Sequence, residues 1–170
     1  MKLKDGLKTI TEYAVFITIL SIILERLRFN RNPSHRTIFR FIHYIFLIFF
    51  VSHVFILDKK YDYVYLVCVA LMNISWELNQ NRCILSDIET INEKDKDNSY
   101  HPYFEVFVGK NTDILVLLQL AFMIYNFYII ILRNDDASIK VISLLLGSLI
   151  TYKLLRSRVK KLCNYFNIVI

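Results

Sequence analysis

Four long apolar runs, each fenced by charge, constrain this chain more than any other feature. They cover residues 37 to 57, 63 to 76, 114 to 132 and 141 to 152. Polar residues bunch between them and do not alternate with the apolar ones. A water-soluble domain interleaves the two at a period of 3.6 or 2, and this chain largely does not. The pattern is that of an all-α integral membrane bundle.

Composition agrees. The 170 residues are 55% hydrophobic and 21% charged, with 3 glycines, against about 25% charged and about 7% glycine in soluble domains. Glycine-built phosphate cradles and flexible loops are therefore nearly excluded. The richness in Tyr, Phe, Ile, Asn and Lys suggests an AT-rich genome. The length suits a single domain, read here as one helical membrane domain over 1–170.

The net charge of +6 is unevenly spread. Lys2, Lys4, Lys8, Arg26, Arg28, Arg31, Arg36 and Arg40 precede residue 41. Lys153, Arg156, Arg158, Lys160 and Lys161 mark the tail. The segment 77–113 holds eight acids against Arg82, Lys94, Lys96 and Lys110. Basic clusters beside membrane helices mark cytoplasmic flanks and bind anionic headgroups, so Arg156, Arg158, Lys160 and Lys161 are expected to meet lipid. Nucleic acid is the competing reading of a basic balance. It is disfavoured, because no basic segment stands free of a hydrophobic one.

Four spanners follow, at about 37–57, 62–78, 114–132 and 138–155, with an interfacial loop at 79–113. Segment 9–28 is the ambiguous one. Its uninterrupted apolar part, Tyr13 to Leu24, is about 18 Å of helix against about 30 Å of hydrocarbon. Glu12 and Glu25 fence it. We expect a short N-terminal hydrophobic helix that does not cross cleanly. Asn32-Pro33-Ser34 reads as a turn. Arg40 is expected to snorkel to the basic side. Tyr61, Tyr63 and Tyr65 read as interfacial anchors, as does Trp76. Ser86 and Glu89 form a capping box that starts a short helix at Asp87. With the arginine loop cytoplasmic, the outside keeps two short turns carrying Lys59, Lys60 and Arg133.

Candidate chemistry is sparse. His43 and His53 lie within the first spanner, and intramembrane ionisable groups are functional candidates by default. They stand roughly 15 Å apart along a helix and about 80° around it. No histidine occurs in the other spanners, so a bis-histidine haem bundle lacks ligands. A neutral histidine bonded to a neighbouring helix is the favoured reading. His101 and Glu105 share an i, i+4 spacing and, with Cys83, Glu89 or Glu77, outline a metal site. Pro102 between them makes a solvated interfacial pair the better reading. Asn73, Ser75, Gln119 and Asn126 read as interhelical hydrogen-bond glue. The three cysteines, Cys68, Cys83 and Cys163, fit no zinc pattern. Cys68 reads as a core residue. Cys163 reads as a free thiol, with palmitoylation the alternative. The sequence holds no P-loop, HExxH or glycine-flanked serine nucleophile, and no cofactor is expected.

The stretch Trp76-Glu-Leu-Asn-Gln-Asn-Arg-Cys83-Ile-Leu-Ser86-Asp-Ile-Glu89 resembles a helix-end motif, Trp…Cys-x-Leu-Ser/Thr-x-x-Glu. The motif belongs to small multi-pass membrane proteins of large DNA viruses. A similar bacterial membrane family carries Cys-Pro-Leu-Thr-x-x-Glu there, so Ile84 departs from its proline. That family also has a histidine in the preceding spanner, which His43 or His53 matches, and a downstream Tyr/His-rich stretch like Tyr100 to Phe104. The resemblance covers roughly residues 43 to 132. It implies architecture, not a reaction, and makes a virion or host-cell membrane the expected location.

Three functions compete. The favoured one is a non-enzymatic structural or scaffolding membrane protein, with anionic lipid, other membrane or capsid proteins, or further copies of itself as partners. A small channel or transporter is the second. The third is a membrane redox or metal protein using His43 or His53 and the 83–105 loop.

Overall fold

A computed structural model describes residues 3–29, 37–79, 83, 106–108 and 112–165. Five helices account for nearly all of these residues, and no strand occurs among them. They are α1 (Leu3–Phe29), α2 (Thr37–Ile56), α3 (Asp62–Leu78), α4 (Thr112–Arg133) and α5 (Ala137–Tyr165). A 3-10 turn at Lys59–Tyr61 joins α2 to α3. Such short connections force neighbouring helices to run antiparallel.

α2 packs on α3 and α4, and α5 packs on both of these, which closes a ring of four helices. Its centre is Phe50 of α2, Tyr65, Leu66 and Val69 of α3, Met123, Phe127 and Ile130 of α4, and Ile150 of α5. Gly147 lets α5 approach α4. A Cβ there would stand 3.2 Å from the Phe127 ring.

α1 lies on α2 along its whole length. Ile10 and Ala14 pack with Tyr44 and Ile48 at mid-height. At one end Gly6 touches the Ile56–Leu57 corner so closely that a Cβ would meet Leu57 Cδ2 at 2.4 Å. At the other end Glu25 pairs with Arg40.

Three helices are long and apolar enough to cross a membrane: Leu3–Leu27, Thr37–Ile56 and Ile114–Arg133. The first revises the expected short N-terminal helix. Glu12 and Glu25 do not end it, because the helix continues through both and Glu25 is buried against a cation. α3 and α5 are not among the three. α3 has 17 residues, about 25 Å of helix. α5 carries Lys140, Ser143, Ser148, Thr151 and Lys153 among its apolar residues.

The surface is inverted relative to a protein built for water. Leucine, isoleucine and phenylalanine face outward on all five helices, with Phe16, Leu71, Leu118 and Leu145 each more than half exposed. Arg40, His53, Asp62, Asn126 and Ser143 are buried. Soluble monomers rarely expose contiguous apolar patches beyond a few hundred Å², and such a face suits hydrocarbon.

Candidate functional site: two buried polar clusters

The first cluster closes the end of the bundle where α2 turns into α3 and α4 into α5. Asp62, in the first turn of α3, is fully buried. Its Oδ1 accepts from His53 Nε2 at 2.8 Å and from Arg133 Nη2; its Oδ2 accepts from Arg133 Nε at 2.9 Å and from Asn134 Nδ2. The arginine thus grips the carboxylate with two parallel bonds, the strongest geometry for this pair. The amide dipoles at the start of α3 favour the same negative charge.

Arg133 also holds α2. Its Nη1 donates to Val54 O at 3.3 Å and to Leu57 O at 3.2 Å. These carbonyls lie at the end of α2, where the helix itself supplies no donors. One side chain from the end of α4 therefore ties down the end of α2 and the start of α3.

His53 stacks on Tyr65, with ring centroids 4.5 Å apart, and Phe49 meets it edge-on. Its Nδ1 is buried without a hydrogen-bond partner among the described residues. Tyr65 donates its hydroxyl to Phe50 O at 3.2 Å. One helical turn below, Asn126 of α4 engages the backbone of α2. Its Oδ1 accepts from Val54 N at 2.9 Å, and its Nδ2 donates to Phe50 O and Val51 O at 3.2 and 3.0 Å. Phe50 O and Val54 N are the two groups that pair in a regular helix, so the amide sits on a rung of the ladder.

The second cluster lies at the opposite end. Arg40 of α2 and Glu25 of α1 form a buried ion pair, their side chains 2% and 7% exposed. Arg40 therefore does not snorkel to water as expected, because a carboxylate on α1 meets it inside. One turn along α2, His43 Nε2 lies 3.8 Å from Cys83 Sγ. Lys153 of α5 pairs with Glu77 and reaches Asn73 Oδ1 at 3.5 Å.

The intramembrane polar candidates fall into different places. His53 and Asn126 belong to the first cluster and His43 to the second. Asn73 bonds Val69 O of its own helix at 3.1 Å and Lys153 across to α5. Gln119 is half-buried on α4. Two expectations need correcting. Tyr65 is not an interfacial anchor but a fully buried core residue, because its ring fills the space beside His53. Arg133 is not a loop charge facing out, because Asp62 draws it inward.

Trp76 is half-buried near the end of α3, and Arg156 is exposed on α5. Ser86, Glu89, His101 and Glu105 lie outside the described residues, as do the side chains of Arg158, Lys160, Lys161 and Cys163. Among the described residues no group of three or more His, Cys, Asp and Glu could hold a metal ion.

The sequence reading missed Asp62, Arg133, Asn134 and the Glu25–Arg40 pair. A signal existed for the first three. An acid opening one apolar helix and an arginine closing another fall on the same side of an antiparallel bundle, so they can meet. Comparison with family models, curated proteins and solved structures finds no match.

Proposed function

We propose that this is a non-enzymatic integral membrane protein in which the ring α2–α5 supplies four crossings and α1 a fifth. What carries the reading is the inversion of polarity: apolar side chains cover the outside, and the buried charges are spent on one another. Support for the fifth crossing comes from α1 touching both ends of α2. Gly6 and Glu25 are separated by 19 residues, about 28 Å of helix, which matches the hydrocarbon thickness of about 30 Å. α3 and α5 cross as members of the ring, where the neighbouring helices accept their more polar faces.

The role that suits such a closed bundle is structural or scaffolding. It rests in a virion or host-cell membrane, the location that the resemblance around Trp76, Cys83, Ser86 and Glu89 implies. Arg156 and the basic tail residues Arg158, Lys160 and Lys161 bind anionic headgroups on one face. Other copies, or other membrane or capsid proteins, pack against the apolar faces.

Reconstitution into liposomes tests this reading. Proteoliposomes should leak ions no faster than empty ones, and cross-linking should capture assemblies of more than one copy. A leak that rises with protein and vanishes with Asp62→Asn would overturn the reading in favour of a conducting path.

A further inference from the structure

From the juxtaposition of Cys83 and His43 we infer that Cys83 is a base-assisted thiol that takes a fatty acyl group from an acyl thioester. Two observations and a principle of thiol chemistry carry it. The Cys83 sulfur lies 3.8 Å from His43 Nε2, within reach of an S–H···N hydrogen bond. A thiol becomes a strong nucleophile only as the thiolate, and a neighbouring imidazole produces it. The thiol is half-buried while the imidazole is 7% exposed. The nucleophile is thus reachable, while the base is held in place by the bundle.

The depth is also right. His43 stands six residues into α2, about 9 Å from its start. On the membrane reading, which this inference rests on, His43 lies one turn, about 4.5 Å, inside the Arg40 level that ends the hydrocarbon span, within reach of the carbonyl end of an acyl chain. Cys83 follows the end of α3, whose outer stripe Leu71, Ile74 and Leu78 is well exposed. A chain attached at Cys83 can lie along that stripe. Among the described residues, the charged groups beside the imidazole include Arg40, one turn away on α2, and Glu25 on α1, which pairs with it.

The step balances. His43 Nε2 takes the thiol proton as sulfur attacks the thioester carbonyl. The new carbon–sulfur bond forms and the old one breaks. The departing thiolate takes the proton back from the imidazolium. The product is a thioester on Cys83, a free carrier thiol and a neutral histidine. Cys68 offers an internal comparison. It packs against the ring's core in mid-α3.

The test uses the full chain in lipid nanodiscs with palmitoyl-coenzyme A as probe. Intact mass should show one added acyl chain, removable by neutral hydroxylamine. Cys83→Ser should abolish it, while Cys68→Ser and Cys163→Ser leave it unchanged. His43→Gln should slow acylation on the order of 100-fold, the lower end of what a general base supplies. A second readout needs no acyl donor. Iodoacetamide should alkylate Cys83 readily at neutral pH, and His43→Gln should slow that reaction. Acylation that persists in Cys83→Ser, or an alkylation rate that His43→Gln leaves unchanged, would overturn the inference. Because alkylation can be read in detergent, failure of the thiol and failure of the membrane reading are distinguishable.

Discussion

The two ends of the bundle solve one problem in opposite ways. At the α2–α3 turn, one carboxylate receives four donors from three side chains, and the arginine that holds it also holds two backbone carbonyls. At the far end Glu25 and Arg40 form an ion pair, and beside it a thiol rests on an imidazole. The first arrangement is a network, in which each member satisfies several others. In the second, a carboxylate with one cation joins a peripheral helix to the ring. A network rigidifies when every member is satisfied. A pair can be exchanged for well-packed hydrocarbon with little loss.

Breaking the network should have the largest effect. Asp62→Ala leaves Arg133, His53 and Asn134 without their common acceptor and should destabilise the fold by about 3 to 5 kcal/mol. Unfolding by SDS titration in bicelles would measure it. Glu25→Met alone should cost roughly 3 kcal/mol, because Arg40 keeps its charge in a buried site. The contrast sharpens with double replacements. Glu25→Met with Arg40→Met should cost less than Glu25→Met alone, because no uncompensated buried charge remains. Asp62→Leu with Arg133→Met should not recover, because Val54 and Leu57 lose the donor at the end of α2. If both doubles recover equally, the distinction between network and pair fails.

Asn126→Leu comes next. Interhelical hydrogen bonds in membranes average about 0.6 kcal/mol and reach about 1.7. Three bonds from one amide to α2 should sum to about 2 kcal/mol, read in the same titration.

How much of this was legible beforehand depends on range. Helix type and rough extent follow from local hydropathy, and the all-helical character was readable from the apolar runs. His43 and His53 stood out because a titratable ring inside hydrocarbon is rare. Their partners did not. Asp62 read as part of a polar turn, and Arg133 as a loop charge. Only the three-dimensional return of α4 beside α2 turns both inward. Glu25 misled most. A carboxylate in an apolar run reads as an end marker when its partner, fifteen residues further along the chain, is unknown. Pairing across helices is a tertiary fact, and hydropathy carries no record of it.

The smallest expected effect concerns the contact between α1 and α2. Gly6→Ala places a methyl group against Leu57, a side chain only 5% exposed. Because the blocking atom is the tip of a flexible side chain, the loss should be about 1 kcal/mol. It should spare the Asp62 network, so Asn126→Leu should cost the same in either background. The crossing of α1 can be tested alongside. In oriented vesicles, Lys4→Cys and Arg26→Cys should react with a membrane-impermeant maleimide from opposite sides. Labelling from one side alone would return α1 to the surface.

The central claim is that lipid solvates the outer faces of these helices. Spin labels at Phe16, Leu71 and Leu145, exposed positions near the middle of α1, α3 and the apolar part of α5, report on it directly. In reconstituted bilayers the account predicts frequent collisions with oxygen, which concentrates in hydrocarbon, and few with a water-soluble nickel chelate. Ready access of the chelate at these three sites would contradict it.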